Sequence, residues 1–288
     1  MNDPGGKSAV SALSFDQIRR LLRQHAAIEL GDDKHYLVNA RLTELARELQ
    51  LPSAEAVAEA LRRRPNDAEL SRRVVESLTT NETFFFRDHH PFEALRRELA
   101  PAAARARQTQ RPLRLWSAAC STGQEPYSLA MMQVDHFADV RFKILATDLD
   151  TGALRRAQEG AYREHEMSRG LPGPCLSKYF TRRGPAWQVN APLKLGIEFR
   201  QLNLAAPWPG LGTFDAILVR NVLIYFSQAT KRDILERMAS ALSPGGLLML
   251  GAGESLVGID LPLERYSVGA TSLYRRRQDR PSRAAAPG

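Results

Sequence analysis

Four short runs hold polar side chains where the surrounding pattern is apolar or turn-forming, and each can meet a ligand. The first, Ala118-Ala119-Cys120-Ser121-Thr122-Gly123-Gln124-Glu125-Pro126-Tyr127, ends a β-like stretch and opens a helix. Its small residues let a ligand approach the backbone, and the N–H groups of a helix start are free to face it. A dinucleotide fingerprint needs G-x-G-x-x-G, and only Gly123 is present, so pyrophosphate is disfavoured. Glu125 argues the same way, because a carboxylate repels phosphate and suits a cation such as the ammonium of an amino acid. Its competing role is to complement the helix dipole. Asp148 ends the next β-like stretch, 25 residues after Gly123. That is near the spacing at which α/β folds set an acid against ribose hydroxyls. Asp150 can cap the following helix, which leaves Asp148 for the ligand. In Arg220-Asn221-Val222-Leu223-Ile224-Tyr225-Phe226 a charge and an amide interrupt an apolar run. Burying them without partners is costly, so each is expected to meet one, within the fold or in a ligand. Finally, Asn81-Glu82-Thr83-Phe84-Phe85-Phe86-Arg87-Asp88 joins two differently patterned parts of the chain. Its aromatics read as core plugs, whereas Asn81, Thr83 and Arg87 sit on a loop held between two rigid units, a good place for function.

The elements that must position these runs are legible in outline. Residues 1–12 read as a disordered tail and residues 13–80 as a bundle of about four helices. Ser14 with Gln17, and Asn66 with Glu69, look like capping boxes, and Leu70, Val74 and Leu78 recur at helical spacing. Residues 81–112 form a linker and a fifth helix, with Pro91 in its first turn and Phe92, Leu95 and Leu99 as its apolar stripe. From Leu113 strands alternate with helices, which argues a doubly wound parallel sheet over 113–275. Strands are expected at Leu113–Ala118, Phe142–Thr147, Phe214–Val219 and Leu247–Leu250, the last after a turn at Ser243-Pro244-Gly245-Gly246. Within this, Tyr179-Phe180, Trp187-Gln188-Val189 and Ile197-Glu198-Phe199 read as a small antiparallel insertion at about 178–200. Residues 276–288 read as a basic disordered tail.

Composition narrows the function. The chain has 288 residues, 43% hydrophobic and 25% charged, with a net charge of +8. The excess sits in residues 91–114 and 275–288, each +4 by count, and the body between is close to neutral. No broad basic face is expected to track a phosphate backbone, so nucleic acid is disfavoured. No apolar run approaches the roughly 18 residues of a membrane span, and residues 1–10 lack a signal-peptide core. Two cysteines, Cys120 and Cys175, build neither a disulfide framework nor a metal site, which fits a reducing, cytoplasmic setting. The six histidines show no H-E-x-x-H spacing, and there is no P-loop and no G-x-S-x-G elbow. No metal is expected.

Together these segments resemble the chemotaxis receptor methyltransferase family, the CheR-type protein-glutamate O-methyltransferases. The likeness spans about residues 13–275. It rests on Asn81-Glu82-Thr83 with Phe85-Phe86-Arg87-Asp88, on Trp116 to Ser128, on Ala146-Thr147-Asp148, on Leu202-Asn203-Leu204 and on Arg220 to Phe226, in that order. It implies an S-adenosylmethionine-dependent methyltransferase (Rossmann-like) α/β fold, with an N-terminal helical bundle and a small β insertion. It further implies that Asn81, Thr83 and Arg87 contact the cofactor from the linker and that Glu125 holds the methionine ammonium. Asp148 would take the ribose hydroxyls, Asn203 and Leu204 would line the adenine pocket, and Asn221 and Val222 would lie under the sulfonium. Arg87 and Tyr225 would stand nearest the reacting carboxylate. Many members carry a histidine where Ala252 stands in Gly251-Ala252-Gly253-Glu254-Ser255, and no chemistry is attached to that position.

The reaction so implied is SN2 methyl transfer from the sulfonium to a glutamate carboxylate, giving a methyl ester and S-adenosylhomocysteine. A glutamate with a reference pKa of about 4.3 is already ionised at neutral pH, so no general base is needed. The implied substrate is the cytoplasmic helical bundle of chemoreceptors, modified for chemotactic adaptation. Lys34, Arg41 and Arg47 on the second helix are the candidate surface for that acidic partner. Some family members bind a receptor C-terminal peptide at the β insertion by strand addition. The implied location is cytoplasmic, with recruitment to membrane receptor arrays. The competing reading is a non-catalytic S-adenosylmethionine-binding sensor or adaptor on the same fold, because fold alone does not establish activity. The retained set Arg87, Glu125, Asp148, Asn221 and Tyr225 argues against it.

Overall fold

The computed structural model describes residues 9–277. Of the two expected tails, residues 1–8 and 278–288 lie outside the described residues. Inside them the chain is already ordered by contacts. Val10 is buried and its N–H donates to Asn39 Oδ1 at 3.2 Å, and Arg276 closes the last strand.

Four helices form the N-terminal unit: α1 (Ala12–Ala26), α2 (His35–Glu48), α3 (Ala54–Arg63) and α4 (Ala68–Ser77), with a short 3-10 turn at Asp32–Lys34. Ile18, Leu22, Val38, Leu42, Val57 and Val74 are excluded from solvent at their centre. Two expected caps are displaced. Ser11, not Ser14, caps α1, its hydroxyl accepting from Ser14 N–H. Ser14 is instead buried and donates to Glu55 at 2.6 Å, and Gln17 accepts from Arg62. Asp67, not Asn66, caps α4, its carboxylate accepting from Leu70 N–H at 3.0 Å. Helix α5 (His90–Thr109) follows the linker.

The second unit runs β1 (Leu113–Ala118), α6 (Gln124–His136), β2 (Phe142–Asp148), α7 (Thr151–Glu159), β3 (Ala161–Arg163), α8 (Glu164–Met167), α9 (Gly173–Tyr179), β4 (Phe180–Arg183), β5 (Ala186–Val189), α10 (Ala191–Lys194), β6 (Ile197–Gln201), β7 (Phe214–Val219), α11 (Gln228–Ala241), β8 (Leu242–Leu250), β9 (Leu263–Val268) and β10 (Thr271–Arg276). A seven-stranded sheet has the order β6-β2-β1-β7-β8-β10-β9. The first five of these pair in parallel, and β10 runs antiparallel to both neighbours. Side chains alternate between two cores. Leu113, Leu115, Ala216 and Leu218 face one, and Trp116, Ala118, Ile217 and Val219 face the other. Both faces are covered, which is why β7 is apolar at nearly every position. Strand order reverses at β1, and the crevice beyond its carboxyl end is where such sheets bind ligands.

Three expectations about strands change. The inserted three-stranded sheet is β3-β5-β4, so its third strand is Ala161–Arg163. Ile197–Phe199 belongs instead to β6, the edge of the large sheet, with Ile197 opposite Ile144 of β2. Both segments are short and follow Pro or Gly punctuation, so local pattern does not distinguish a hairpin strand from a sheet edge. The Ser243–Gly246 turn lies inside β8, where the register against β7 shifts between Phe214 and Ala216. The β9–β10 hairpin has no expected counterpart, because exposed charges at Glu264 and Arg265 mask its alternation.

The linker aromatics divide the work. Phe85 is fully buried and meets Tyr162 and Phe180 edge-on at 5.1 and 5.4 Å, pinning the linker to the insertion. Gly170 lies against the Phe85 carbonyl so closely, at φ +82°, that a Cβ there would stand 2.1 Å from that oxygen. Phe86 packs edge-on against Phe92. Phe84 is no plug: it is half-buried, and the guanidinium groups of Arg87 and Arg169 lie over its ring, 5.4 and 4.4 Å from its centre. Phe85→Ala is therefore expected to destabilise the protein by about 3–5 kcal/mol, whereas Phe84→Ala changes urea unfolding by less than about 1 kcal/mol.

Candidate cofactor and active site

The loops at the carboxyl ends of β1, β2 and β7, the linker, and the segment after α1 enclose one cavity, about 1300 Å³ including its open mouth. Asn81, Thr83, Arg87, Glu125, Asp148, Asn203, Leu204, Asn221, Val222 and Tyr225 all line it. Ala119 and Ser121 form a floor with little side chain, and Ile28, Leu30 and Gly31 form a wall from the helical unit.

Asp148 ends β2 and is almost wholly buried. One carboxylate oxygen accepts from Ser121 N–H at 2.7 Å, the other from Asp150 N–H at 2.9 Å. Burial raises its pKa to about 6, the backbone donors of Asp150 and Ser121 pull it down, and the Asp150 charge adds to the rise. Each oxygen keeps a lone pair for a further donor. Asp150 caps α7 through Gly152 and Ala153 N–H and accepts from Asn81 Nδ2 at 2.6 Å. The Asn81 carbonyl in turn accepts from Ser121 Oγ at 3.0 Å. The linker is thus fastened to the ends of both β1 and β2.

Glu125 opens α6. It accepts from Ser117 Oγ at 2.7 Å and pairs with Arg220 Nη1 at 3.1 Å. Arg220 reaches on to Asp88 Oδ2 and to the Arg87 carbonyl, both at 2.9 Å. The expected partners of Arg220 are therefore inside the fold. Asn221 has φ +58°, and its buried Oδ1 has no hydrogen-bond partner among the described residues. Asn203 donates to the His25 carbonyl at 2.7 Å and accepts from Ala205 N–H, while Leu204 is buried beneath it. Arg87 donates to the Glu82 carbonyl at 2.8 Å. Tyr225 sits on the 3-10 turn Leu223–Tyr225, with its carbonyl accepting from Glu29 N–H at 2.8 Å. Cys120 is buried in the loop, and burial together with the nearby Asp148 and Glu125 raises its thiol pKa well above normal, so it is no nucleophile.

The surface expected from Lys34, Arg41 and Arg47 does not form as one face. Lys34 ends the 3-10 turn before α2, lines the cavity and pairs with Asp33 at 2.8 Å. Arg41 lies along α2, and at 100° per residue Arg47 is turned roughly 120° away from it. Sequence reasoning gave no role to Ser117, Asp88 or Glu254, whose carboxylate gathers the backbone behind Asn221. The available signal was position, because Glu254 follows the carboxyl end of a core strand.

The chain matches the family model for the CheR methyltransferase, SAM binding domain, over residues 81–270, and that for the CheR methyltransferase, all-alpha domain, over 13–79. It is 42% identical over 276 residues to chemotaxis protein methyltransferase 1 of Pseudomonas aeruginosa, covering 93% of this chain and 99% of that one. It is 41% identical over 255 residues to chemotaxis protein methyltransferase Cher2 of Pseudomonas putida (86% and 92% covered). To the chemotaxis protein methyltransferase of Escherichia coli it is 37% identical over 278 residues (94% and 93% covered). The cofactor is S-adenosylmethionine, and the residues present fit it. A buried carboxylate with free lone pairs suits a diol, a second suits an ammonium, and the orphaned Asn221 Oδ1 awaits a donor.

Two hydroxyls donating to Asp148 would favour its ionised form, so a ribose bound there would lower the pKa that burial raises. With Asp148 in that role, cofactor affinity is expected to be level above about pH 7 and to weaken as pH falls through about 6. Asp148→Asn binds more weakly and loses this slope, as calorimetric titration with S-adenosylhomocysteine between pH 5 and 8 measures.

Proposed function

This chain belongs to the CheR methyltransferase family, and we propose that it transfers the methyl group of S-adenosylmethionine to glutamate side chains of chemoreceptors, forming methyl esters. The observation that carries this reading is the meeting, in one cavity, of the buried acids Glu125 and Asp148 with the Arg87 guanidinium and the Tyr225 side chain. When bound, S-adenosylmethionine supplies an electrophilic methyl carbon and leaves as S-adenosylhomocysteine. A glutamate carboxylate with a pKa of about 4.3 attacks without prior deprotonation. No histidine lines the cavity among the described residues, which suits a reaction that asks for no base.

The work left to the protein is alignment, which is worth on the order of 7–11 kcal/mol in favourable cases. Arg87 offers paired N–H donors to a carboxylate. Its present partners, the Glu82 carbonyl and the Phe84 ring, are weak enough to be exchanged for a substrate oxygen. Too strong a hold would stabilise the ground state as much as the transition state. The Tyr225 hydroxyl has no hydrogen-bond partner among the described residues and orients the second carboxylate oxygen.

The substrate is a helix of the receptor's cytoplasmic bundle, which calls for a mouth wider than a small molecule needs. Lys34, which lines the cavity, supplies positive charge there. The edge strand β4 of the insertion, with Thr181, Arg182 and Arg183 exposed, accepts a receptor C-terminal peptide by strand addition. No described helix is long and apolar enough to cross a membrane, and the protein works in the cytoplasm, recruited to receptor arrays.

Transfer of labelled methyl to chemoreceptor-containing membranes, followed by base, tests the reading. Label on the receptor that base releases as methanol is the expected result. Cofactor binding without transfer indicates the sensor reading, and base-stable label refutes ester formation. In the same assay Arg87→Ala lowers turnover on the order of 100-fold and Tyr225→Phe about tenfold. Near-normal turnover in both variants overturns the assigned roles.

A further inference from the structure

The Gly251–Ser255 run after β8 has no part in the cavity lining, yet one of its side chains organises the cavity from behind. The Glu254 carboxylate accepts four backbone hydrogen bonds. Oε2 takes Asn221 N–H and Gly251 N–H, both at 2.8 Å. Oε1 takes Val222 N–H at 3.0 Å and Leu223 N–H at 2.7 Å. Three of these donors belong to the turn after β7 that carries Asn221, Val222 and, three residues on, Tyr225. That turn is not a relaxed one. Asn221 lies in the left-handed region at φ +58°, a conformation that costs a non-glycine residue free energy and persists only when its surroundings impose it.

A second observation points to the same device. A Cβ on Gly251 would stand 2.8 Å from Asn221 N, 2.8 Å from Glu254 Oε2 and 3.0 Å from Asn221 Nδ2. Only glycine leaves room for the carboxylate and the turn to meet. Gly251 and Glu254 therefore act as one unit that grips the backbone of Asn221–Leu223 from the side away from the cavity.

We infer that Glu254 is a positioning residue for cofactor binding and methyl transfer, acting through the backbone of Asn221, Val222 and Leu223 and dependent on Gly251. It touches no ligand. Its charge is fully engaged by N–H donors, and what it fixes is where the Asn221 amide and the Tyr225 ring stand. The effect on binding follows from the S-adenosylmethionine site, while the effect on turnover rests on the glutamate-transfer reading.

The test uses the full-length protein and two variants. Glu254→Gln keeps the shape but sets an amide NH2 against N–H donors, and Gly251→Ala disturbs the same contact without altering charge. Hydrogen exchange reads the turn directly. In both variants the Asn221, Val222 and Leu223 amides exchange on the order of tenfold faster or more, while those of β1 and β7 keep their wild-type rates. Calorimetric titration with S-adenosylhomocysteine shows Kd raised about tenfold, and kcat falls with the KM for receptor unchanged. Unchanged exchange at 221–223, an unchanged Kd, or uniformly faster exchange across the sheet overturns the proposal. A wild-type protein that binds S-adenosylhomocysteine but methylates no receptor overturns the transfer reading alone, because exchange and binding still report on Glu254.

Discussion

The Arg220 guanidinium is taken almost wholly out of water, with its side chain 2% exposed, and the organisation of the site follows from how its two terminal nitrogens are paired, its buried Nε having no partner among the described residues. Stripping a cation of solvent costs several kcal/mol, which only well-placed partners offset. Here they are Glu125 from the start of α6, Asp88 from the linker and the Arg87 carbonyl. The Phe92 ring of α5 stands 5.7 Å away. One side chain at the end of β7 thus fixes both the carboxylate assigned to the cofactor's cationic end and the backbone of the residue assigned to the substrate. Neither can shift without leaving a buried charge short of a partner. Glu125 remains able to take a ligand cation, because Ser117 and Arg220 use only two of the roughly four lone-pair directions of its carboxylate.

Around this ion pair the backbone is bent into conformations that L-residues seldom adopt. Ala119, Ser121 and Asn221 have positive φ at the ends of β1 and β7, and Phe86 and Asp88 have it in the linker. Such residues cost of order 1–3 kcal/mol each and cluster where function imposes geometry. Two of them are held by acids turned toward their main-chain N–H groups: Asp148 on Ser121, and Glu254 on Asn221 to Leu223. Asp148 bears a further consequence. Its pKa is raised by burial, so its ionised form weakens the fold as pH rises through about 6, and a bound diol relieves that penalty. The acid proposed to take the ribose is thus held in a state that favours having a ligand.

The alternation of strands and helices, four of the five parallel strands and the bundle are legible because their apolar periods are long and their turns well marked. The residues lining the cavity are legible for another reason. Asp148 and Asn221 interrupt apolar strand ends, Glu125 sets a charge at a helix start, and the family motifs single out Asn81, Thr83 and Arg87. What escaped depends on distance in space. Nothing local tells Ile197 to pair with Ile144 rather than with the insertion, or Ala161–Arg163 to complete it. Ser11 displaced Ser14 as a cap because Glu55, 41 residues on, claims the Ser14 hydroxyl. Glu254 passed unnoticed because its partners are backbone groups, which sequence does not display. Arg47 parted from Arg41 by simple helical geometry.

The helical unit is part of the site, not an appendage to it. Ile28 forms a β-bridge with Phe226, Glu29 N–H donates to the Tyr225 carbonyl, and Asn203 donates to the carbonyl of His25. At the opposite rim Arg72 and Glu76 of α4 meet Thr151 at the start of α7. The turn carrying Tyr225 is therefore tied to the helical unit at one carbonyl and to Glu254 at the N–H groups before it, and Arg87 is tied through its own carbonyl to Arg220. The proposed transfer to a carboxylate needs no base, so it depends on placing two partners within a fraction of an ångström along a line, and a misplacement of about 1 Å can cost 100-fold. Fixing main-chain atoms on both sides of the proposed reaction site gives that precision while leaving the Arg87 and Tyr225 side-chain ends free for the proposed carboxylate.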